Sequence, residues 1–165
     1  MNPLFNILTD PSEFLENLFI ELNKKKINVE KYQLDHICYR TESVQQYIDL
    51  KNKLIQIGEL LTESNINGRP IATFKLIDPI LHGKRKIFLL ELPSPKPGSF
   101  YPSGYEHVEF VIDEPLDVFM DRYPKINFDK KGMKKKVNPE VRIKFAGFSV
   151  KFHLHDLEYV IEYLD

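Results

Sequence analysis

The stretch LDHICYR, Leu34 to Arg40, places an acid, an imidazole, a thiol and a guanidinium within seven residues. A strand built only for a core would carry Val and Ile there. Side chains of a strand point alternately to opposite faces. Leu34, His36, Cys38 and Arg40 therefore share one face, and Asp35, Ile37 and Tyr39 the other. The same division recurs downstream. In YEHVEFVI (105–112), His107 and Glu109 oppose Val108, Phe110 and Ile112. In FSVKFHL (148–154), Ser149, Lys151 and His153 oppose Val150 and Phe152. In RKIFLLEL (85–92), Glu91 lies with Ile87 and Leu89, opposite Phe88 and Leu90. The apolar faces are expected to pack on helices, leaving the polar ones to water or a ligand. A sheet curving around the polar face makes a cleft where histidines and a carboxylate from different strands converge on one cation. Neutral imidazole and carboxylate suit divalent Zn, Ni, Co, Mn or Fe. His36 is expected at a ligand position, and Arg40 within reach of an anionic substrate.

Other residues have two readings each. Glu109 shares a face with His107, so it orients that imidazole or takes a proton; a plain surface carboxylate is the alternative. Arg69 follows the Asn67-Gly68 turn beside the expected cleft, where its guanidinium is a candidate bidentate clamp for a carboxylate or phosphate. Glu91 is a candidate ligand that could instead cap a turn or pair with Arg85. Cys38 reads as a small buried hydrophobe, and His82 as a solvated loop residue. His155 with Asp156 reads as a helix start.

The elements that must position these groups follow from patterning. Asp10-Pro11-Ser12-Glu13 starts a helix over about 11–26, with Asp10 as cap and a stripe of Phe14, Leu15, Leu18, Phe19 and Leu22. After LDHICYR, Thr41 caps a helix over roughly 42–57, and Gly58 stops it. Glu59–Ser64 is a strand, Asn67-Gly68 a hairpin turn, and Arg69–Ile77 the returning strand. Asp78-Pro79 and His82-Gly83 turn the chain into RKIFLLEL. The Pro-, Gly- and Ser-rich run 93–104 is a linker, and its Phe100 and Tyr101 are expected to pack. The order then repeats: strand 105–112, short helix 114–123, short strand 125–128, loop KKGMKKKVNP, and a hairpin of 141–145 and 148–153. A helix over about 156–164 closes the chain. This predicts an α+β fold in one domain, 1–165, of paired βαβββ modules at about 34–92 and 105–153. Helices would lie outside a curved mixed sheet.

Composition narrows the function classes. The chain has 165 residues, 42% of them hydrophobic and 28% charged, with a net charge of −1. That is an ordinary globular balance with no global attraction for nucleic acid or acidic membranes. The basic run Lys130–Lys136 lacks interleaved aromatics and reads as a solvated loop. One cysteine rules out an internal disulfide and fits a reducing compartment. The N-terminus lacks the basic region of a signal peptide, and no apolar run reaches about 18 residues. The expected setting is the cytoplasm, with neither nucleic acid nor membrane as partner.

From about Asp35 to Glu162 the chain resembles the YecM-like proteins, a bacterial group expected to bind metal. The stretches that carry the resemblance are DHICYR, GELLTESNINGRPIATFKL, ELPSPKPGSFYPSGYEHVEFVI and VKFHLHDLEYVIE, of which ELLTESNINGRPI is the most specific. The group is related in fold to the vicinal oxygen chelate superfamily of glyoxalases, epimerases and extradiol dioxygenases. The resemblance implies paired βαβββ modules, each giving a metal ligand from its first strand and one from its last. Those positions fall on His36 and His107, and on Glu91 and His153. His155 stands so close to His153 that either is a candidate fourth ligand. The second helix is shorter than the pattern asks. Two function classes follow. One is a metal-dependent isomerase, lyase or epimerase, or an oxidoreductase if the metal is iron. It would act on a small oxygenated or anionic molecule, with a cleft carboxylate (Glu109 or Glu91) moving a proton. The alternative is a binding protein without turnover. Either works as a monomer or a homodimer.

Overall fold

The computed structural model describes residues 1–164. The elements in chain order are α1 (Leu4–Ile7), α2 (Ser12–Lys24), β1 (Gln33–Arg40), α3 (Val44–Leu54), β2 (Gly58–Ile66), β3 (Arg69–His82) and β4 (Arg85–Pro93). They continue as β5 (Gly104–Val111), α4 (Leu116–Asp121), a 3-10 turn (Lys131–Lys134), β6 (Glu140–Lys144), β7 (Ser149–His153), α5 (Leu157–Tyr159) and a π turn (Val160–Leu164). The seven strands form one open sheet in the order β2-β3-β4-β1-β5-β7-β6. Strand β1 runs parallel to β4, and β5 parallel to β7. The halves meet where β1 and β5 pair antiparallel. Each half thus sets its first and last strands side by side, with the remaining strands outside them.

The second half is incomplete. Residues 125–128, expected as a strand, leave only the single bridge Asp129–Arg142 of an eighth strand. The Ile126 amide is spent on a turn bond to the Tyr123 carbonyl, 3.0 Å, and Pro124 has no amide hydrogen to give a ladder. Phe128 turns inward against Phe119 instead.

Several boundaries move for local reasons. Helix α3 starts at Ser43, whose hydroxyl accepts the Gln46 amide hydrogen at 3.0 Å, rather than at Thr41. Thr41 is buried and donates to the Pro93 carbonyl at 2.7 Å, tying the end of β1 to the end of β4. Asp10 is not the cap of α2; it precedes the helix and accepts from the Ser12 amide, 2.9 Å, in a turn. Gly58 does not stop α3 but opens β2, where a Cβ would lie 2.9 Å from the Lys75 carbonyl oxygen. Strand β3 runs through Asp78-Pro79, expected as a turn, with a register shift between Lys75 and Ile80 that frees the proline from the ladder. Arg85 donates to the Val29 and Tyr32 carbonyls at 2.8 and 2.6 Å and forms no pair with Glu91. Asn67 and Gly68 both have positive φ, 53° and 81°, as a tight hairpin turn demands.

The apolar faces of β1, β5 and β7 pack as the alternation predicts, whereas Phe88 of β4 is exposed and Ile87 and Leu89, on the face of Glu91, are buried. Ile37, Val108, Phe110, Val150 and Phe152 are fully buried in one core with Leu15, Leu18 and Leu22 of α2. Each such side chain contributes roughly 1.5–3 kcal/mol of transfer free energy. With one face taken by this core, the other is free to line a cleft.

Candidate metal centre

Two β-bulges build the site. Along the β1–β5 pair, Leu34 opposes Phe110 and His36 opposes Glu109, so Asp35 is an extra residue. Cys38 opposes His107 and Tyr39 opposes Tyr105, so Glu106 is another. A bulge breaks alternation and lets adjacent side chains turn the same way. Asp35 therefore leaves the face of Ile37 and Tyr39, where alternation alone put it. Its Oδ2 lies 2.9 Å from His36 Nδ1. Glu106 contacts His107 Nδ1 in the same manner. Each histidine is held from behind by the acid that precedes it.

The opposite ring nitrogens converge. His36 Nε2 and His107 Nε2 lie 2.8 and 3.1 Å from one atom, Glu109 Oε2, and His107 Nε2 is 3.8 Å from Glu91 Oε1. One donor atom from each of His36, Glu91, His107 and Glu109 lies within 4.8 Å of the others. Adjacent ligands at about 2.0–2.2 Å from one tetrahedral or octahedral cation stand roughly 3–3.5 Å apart, so these spacings suit a shared ion. His36, His107 and Glu109 are buried, and Glu91 is partly exposed on a cleft of about 890 Å³.

The donor chemistry favours a cation more than the spacing does. A neutral imidazole whose Nδ1–H donates to a carboxylate turns a lone pair outward at Nε2. At both histidines that lone pair would face a carboxylate oxygen, acceptor against acceptor. Only a proton on Nε2 or a metal ion between the atoms relieves this. Among the described residues, Asp35 Oδ1 is a further buried polar atom without a hydrogen-bond partner, and His153 Nε2 has only Asp35 Oδ2 near it, at 3.3 Å.

In the metal-free chain protons do the work. Burial acts to lower the His36 pKa, but the Glu109 charge and the contacts with Asp35 and Glu109 raise it well above the usual imidazole value. Burial likewise opposes charge on His107, and contacts with Cys38 and Glu106 raise it. Burial keeps the Cys38 thiol raised and neutral, so at neutral pH the Glu106 contact is the effective one. His153 is pulled down by burial and pushed up by Asp35 and Glu109, reaching about 9. Burial would raise Glu109, but His36, Lys151, His107 and His153 hold it well below the carboxylate range. Glu106 is lowered to about 2, His107 overcoming its burial.

The structure thus gathers His36, Glu91 and His107 with Glu109. His153 stands behind Glu109, its Nδ1 3.1 Å from Oε1 and its Nε2 3.3 Å from Asp35 Oδ2. The strand register explains the arrangement. Cys38 opposes Glu91 in the first half, and Glu109 opposes Lys151 in the second. By register the position matching Glu91 is Lys151, and His153 falls in a separate group with Glu109 and Glu140, whose donor atoms also lie within 4.8 Å of one another. The buried Lys151 ammonium lies 3.3 Å from Glu140 and 3.9 Å from Glu109. His155 is exposed and stacks on Tyr159, and His82 stacks on Phe19 at 5.0 Å. Arg40 and Arg69 both line the cleft. In the 93–104 linker Tyr101 packs, whereas Phe100 is 97% exposed. Alternation gave no role to Asp35, and it placed Lys151 on the polar face with His153 without assigning it one. The signal present was the acid-histidine pair at both Asp35-His36 and Glu106-His107.

Known proteins agree with this architecture. The family described as YecM protein matches residues 4–163. Protein YecM of Escherichia coli K12 is 30% identical over 115 residues, 68% of this chain and 60% of that protein. An uncharacterized protein of Haemophilus influenzae is 30% identical over 86 residues, 52% of this chain and 45% of its own. The matches thus span about half the length of these relatives. Among solved structures, the structural-genomics protein EC4020 superposes with a TM-score of 0.83 at 25% identity, covering 98% of this chain and 93% of its own. A hypothetical protein, BH1468 of Bacillus halodurans, shares the fold at a TM-score of 0.53 and 14% identity, covering 76% and 96%. By the match over residues 4–163, the chain belongs to the YecM protein family.

Proposed function

We propose that this protein binds one divalent transition metal in the cleft, through Nε2 of His36 and His107 and the carboxylates of Glu91 and Glu109, and acts there on a small oxygenated molecule as an isomerase or lyase. The observation that carries the reading is the facing of two Nε2 atoms and one carboxylate oxygen while the acids behind each ring hold Nδ1. When bound, such an ion supplies Lewis-acid polarisation of a substrate oxygen. The chain's own residues do the rest. Asp35 and Glu106 fix ring orientation and tautomer. Glu109 turns its second oxygen to His153, whose charged ring holds that carboxylate in place, and Glu91, partly exposed on the cleft, takes up a substrate proton. Lys151 offsets part of the acid excess at the cleft floor.

Metal analysis of protein purified without a histidine tag tests the reading. About one transition metal per chain is expected, lost in His107→Ala. Because that variant removes a buried group, Glu106→Gln serves beside it; it keeps the ring and should weaken metal binding about 10–100-fold. No metal in the wild type after exposure to Zn, Ni, Mn and Fe ions would sink the proposal.

A further inference from the structure

Beyond the metal group, the cleft holds cations of two kinds. Lys135, Lys144 and Lys151 line it with carboxylates beside them, Glu140, Asp129 and Glu140 at 3.0, 3.2 and 3.3 Å. Among the described residues, five cations line it without an ion pair: Lys96, Lys131, Arg142, Arg40 and Arg69. The last two are organised by Tyr101. Arg40 lies over the Tyr101 ring, 4.4 Å from its centroid, and its Nε donates to the Pro102 carbonyl at 3.3 Å. Arg69 Nη1 donates to the Ser94 carbonyl at 3.2 Å and to the Tyr101 hydroxyl at 3.4 Å. Arg69 Nε is buried with no partner among the described residues. The Nε–Nη2 edge, left without an acceptor, is one that grips a carboxylate through two parallel hydrogen bonds.

The two loci stand apart on the sheet. Glu91 belongs to the metal group, and Ser94, which anchors Arg69, lies three residues further along the same run. At strand rise that is roughly 10 Å. We infer that the cleft takes a small diacid, one end at the metal group and the far carboxylate on Arg69, with Tyr101 and Arg40 holding the charge in place. This inference rests on the metal reading for the near end only; the far end stands on the arginine pair. The acid would complete the bonding that Arg69 lacks. Ile66 and Ile71 line the same cleft and give apolar surface for a carbon chain between the ends.

Calorimetric titration with linear dicarboxylates of five to ten carbons, each beside the monocarboxylate of equal length, tests this. Titrations use protein with and without added Zn²⁺. At least one diacid should bind tenfold or more tightly than its monoacid, a difference of about 1.4 kcal/mol. Arg69→Met should abolish that preference while leaving Zn²⁺ affinity unchanged, and Tyr101→Phe should reduce it if Arg69→Met does not fold. Equal binding of diacids and monoacids, or a preference that survives both substitutions, overturns the inference. Failure of the metal reading has a different signature, absence of Zn²⁺ binding in the wild type. An Arg69-dependent preference in the metal-free protein would then still support the far-end site.

Discussion

Glu109→Ala is expected to destabilise the metal-free protein by about 3–5 kcal/mol, the range for removing one partner of a buried charge cluster. Four groups lean on this carboxylate: His36, His107, His153 and Lys151, at 2.8, 3.1, 3.1 and 3.9 Å. Burial leaves little water to replace it. The histidines can answer by losing protons; Lys151 keeps Glu140, 3.3 Å away. Urea unfolding at pH 6 measures the loss. Glu109→Gln separates charge from shape: it keeps the volume, should cost less, and should still weaken metal binding at least tenfold, because an amide is a poorer ligand. A loss below about 1 kcal/mol in the alanine variant would show that the cluster is not held through Glu109.

The second large effect is a metal-induced stabilisation that grows with pH. His36 and His107 are raised well above their ordinary values and His153 to about 9. A histidine so raised contributes stability that is fully present below its unfolded value, about 6.5, and is lost as pH rises through the folded one. The lowered carboxylates act oppositely. Glu106 at about 2, with Asp35 and Glu109 also lowered, contributes stability above the unfolded carboxylate range, lost as pH falls through the folded values. Metal-free protein should therefore be most stable between about pH 5 and 6.5 and weaken toward pH 9. A metal takes the place of the Nε2 protons, so binding should release protons and strengthen as pH rises. Thermal unfolding with and without Zn²⁺ at pH 6, 7 and 8.5 should show a shift that increases at each step. At a hundredfold excess over Kd the stabilisation is about 2.7 kcal/mol. A shift independent of pH, with no proton release by calorimetry in two buffers, would rule out histidine ligands.

Local sequence determined much of this molecule. Alternation in the strands around His36, His107 and His153 marked one polar and one apolar face, and the buried Ile37, Phe110 and Phe152 follow it, whereas around Glu91 both faces are apolar and Phe88 is exposed. The repeated order of elements also survives as two half-sheets, four strands in the first and three in the second. Both are legible because strand period and element order are written in neighbouring residues. Tertiary structure decided the rest. The bulges at Asp35 and Glu106 depend on how β1 pairs with β5, and a one-residue slip turns a side chain to the other face. The same pairing set Glu109 against both histidines. The β5–β7 register put Lys151, not His153, opposite Glu109. Tyr101 was readable as an aromatic in a loop, but its place between Arg40 and Arg69 required the linker to return across the cleft. Which residues are polar was fixed by the chain; which polar atoms face one another was fixed by the register between strands distant in sequence.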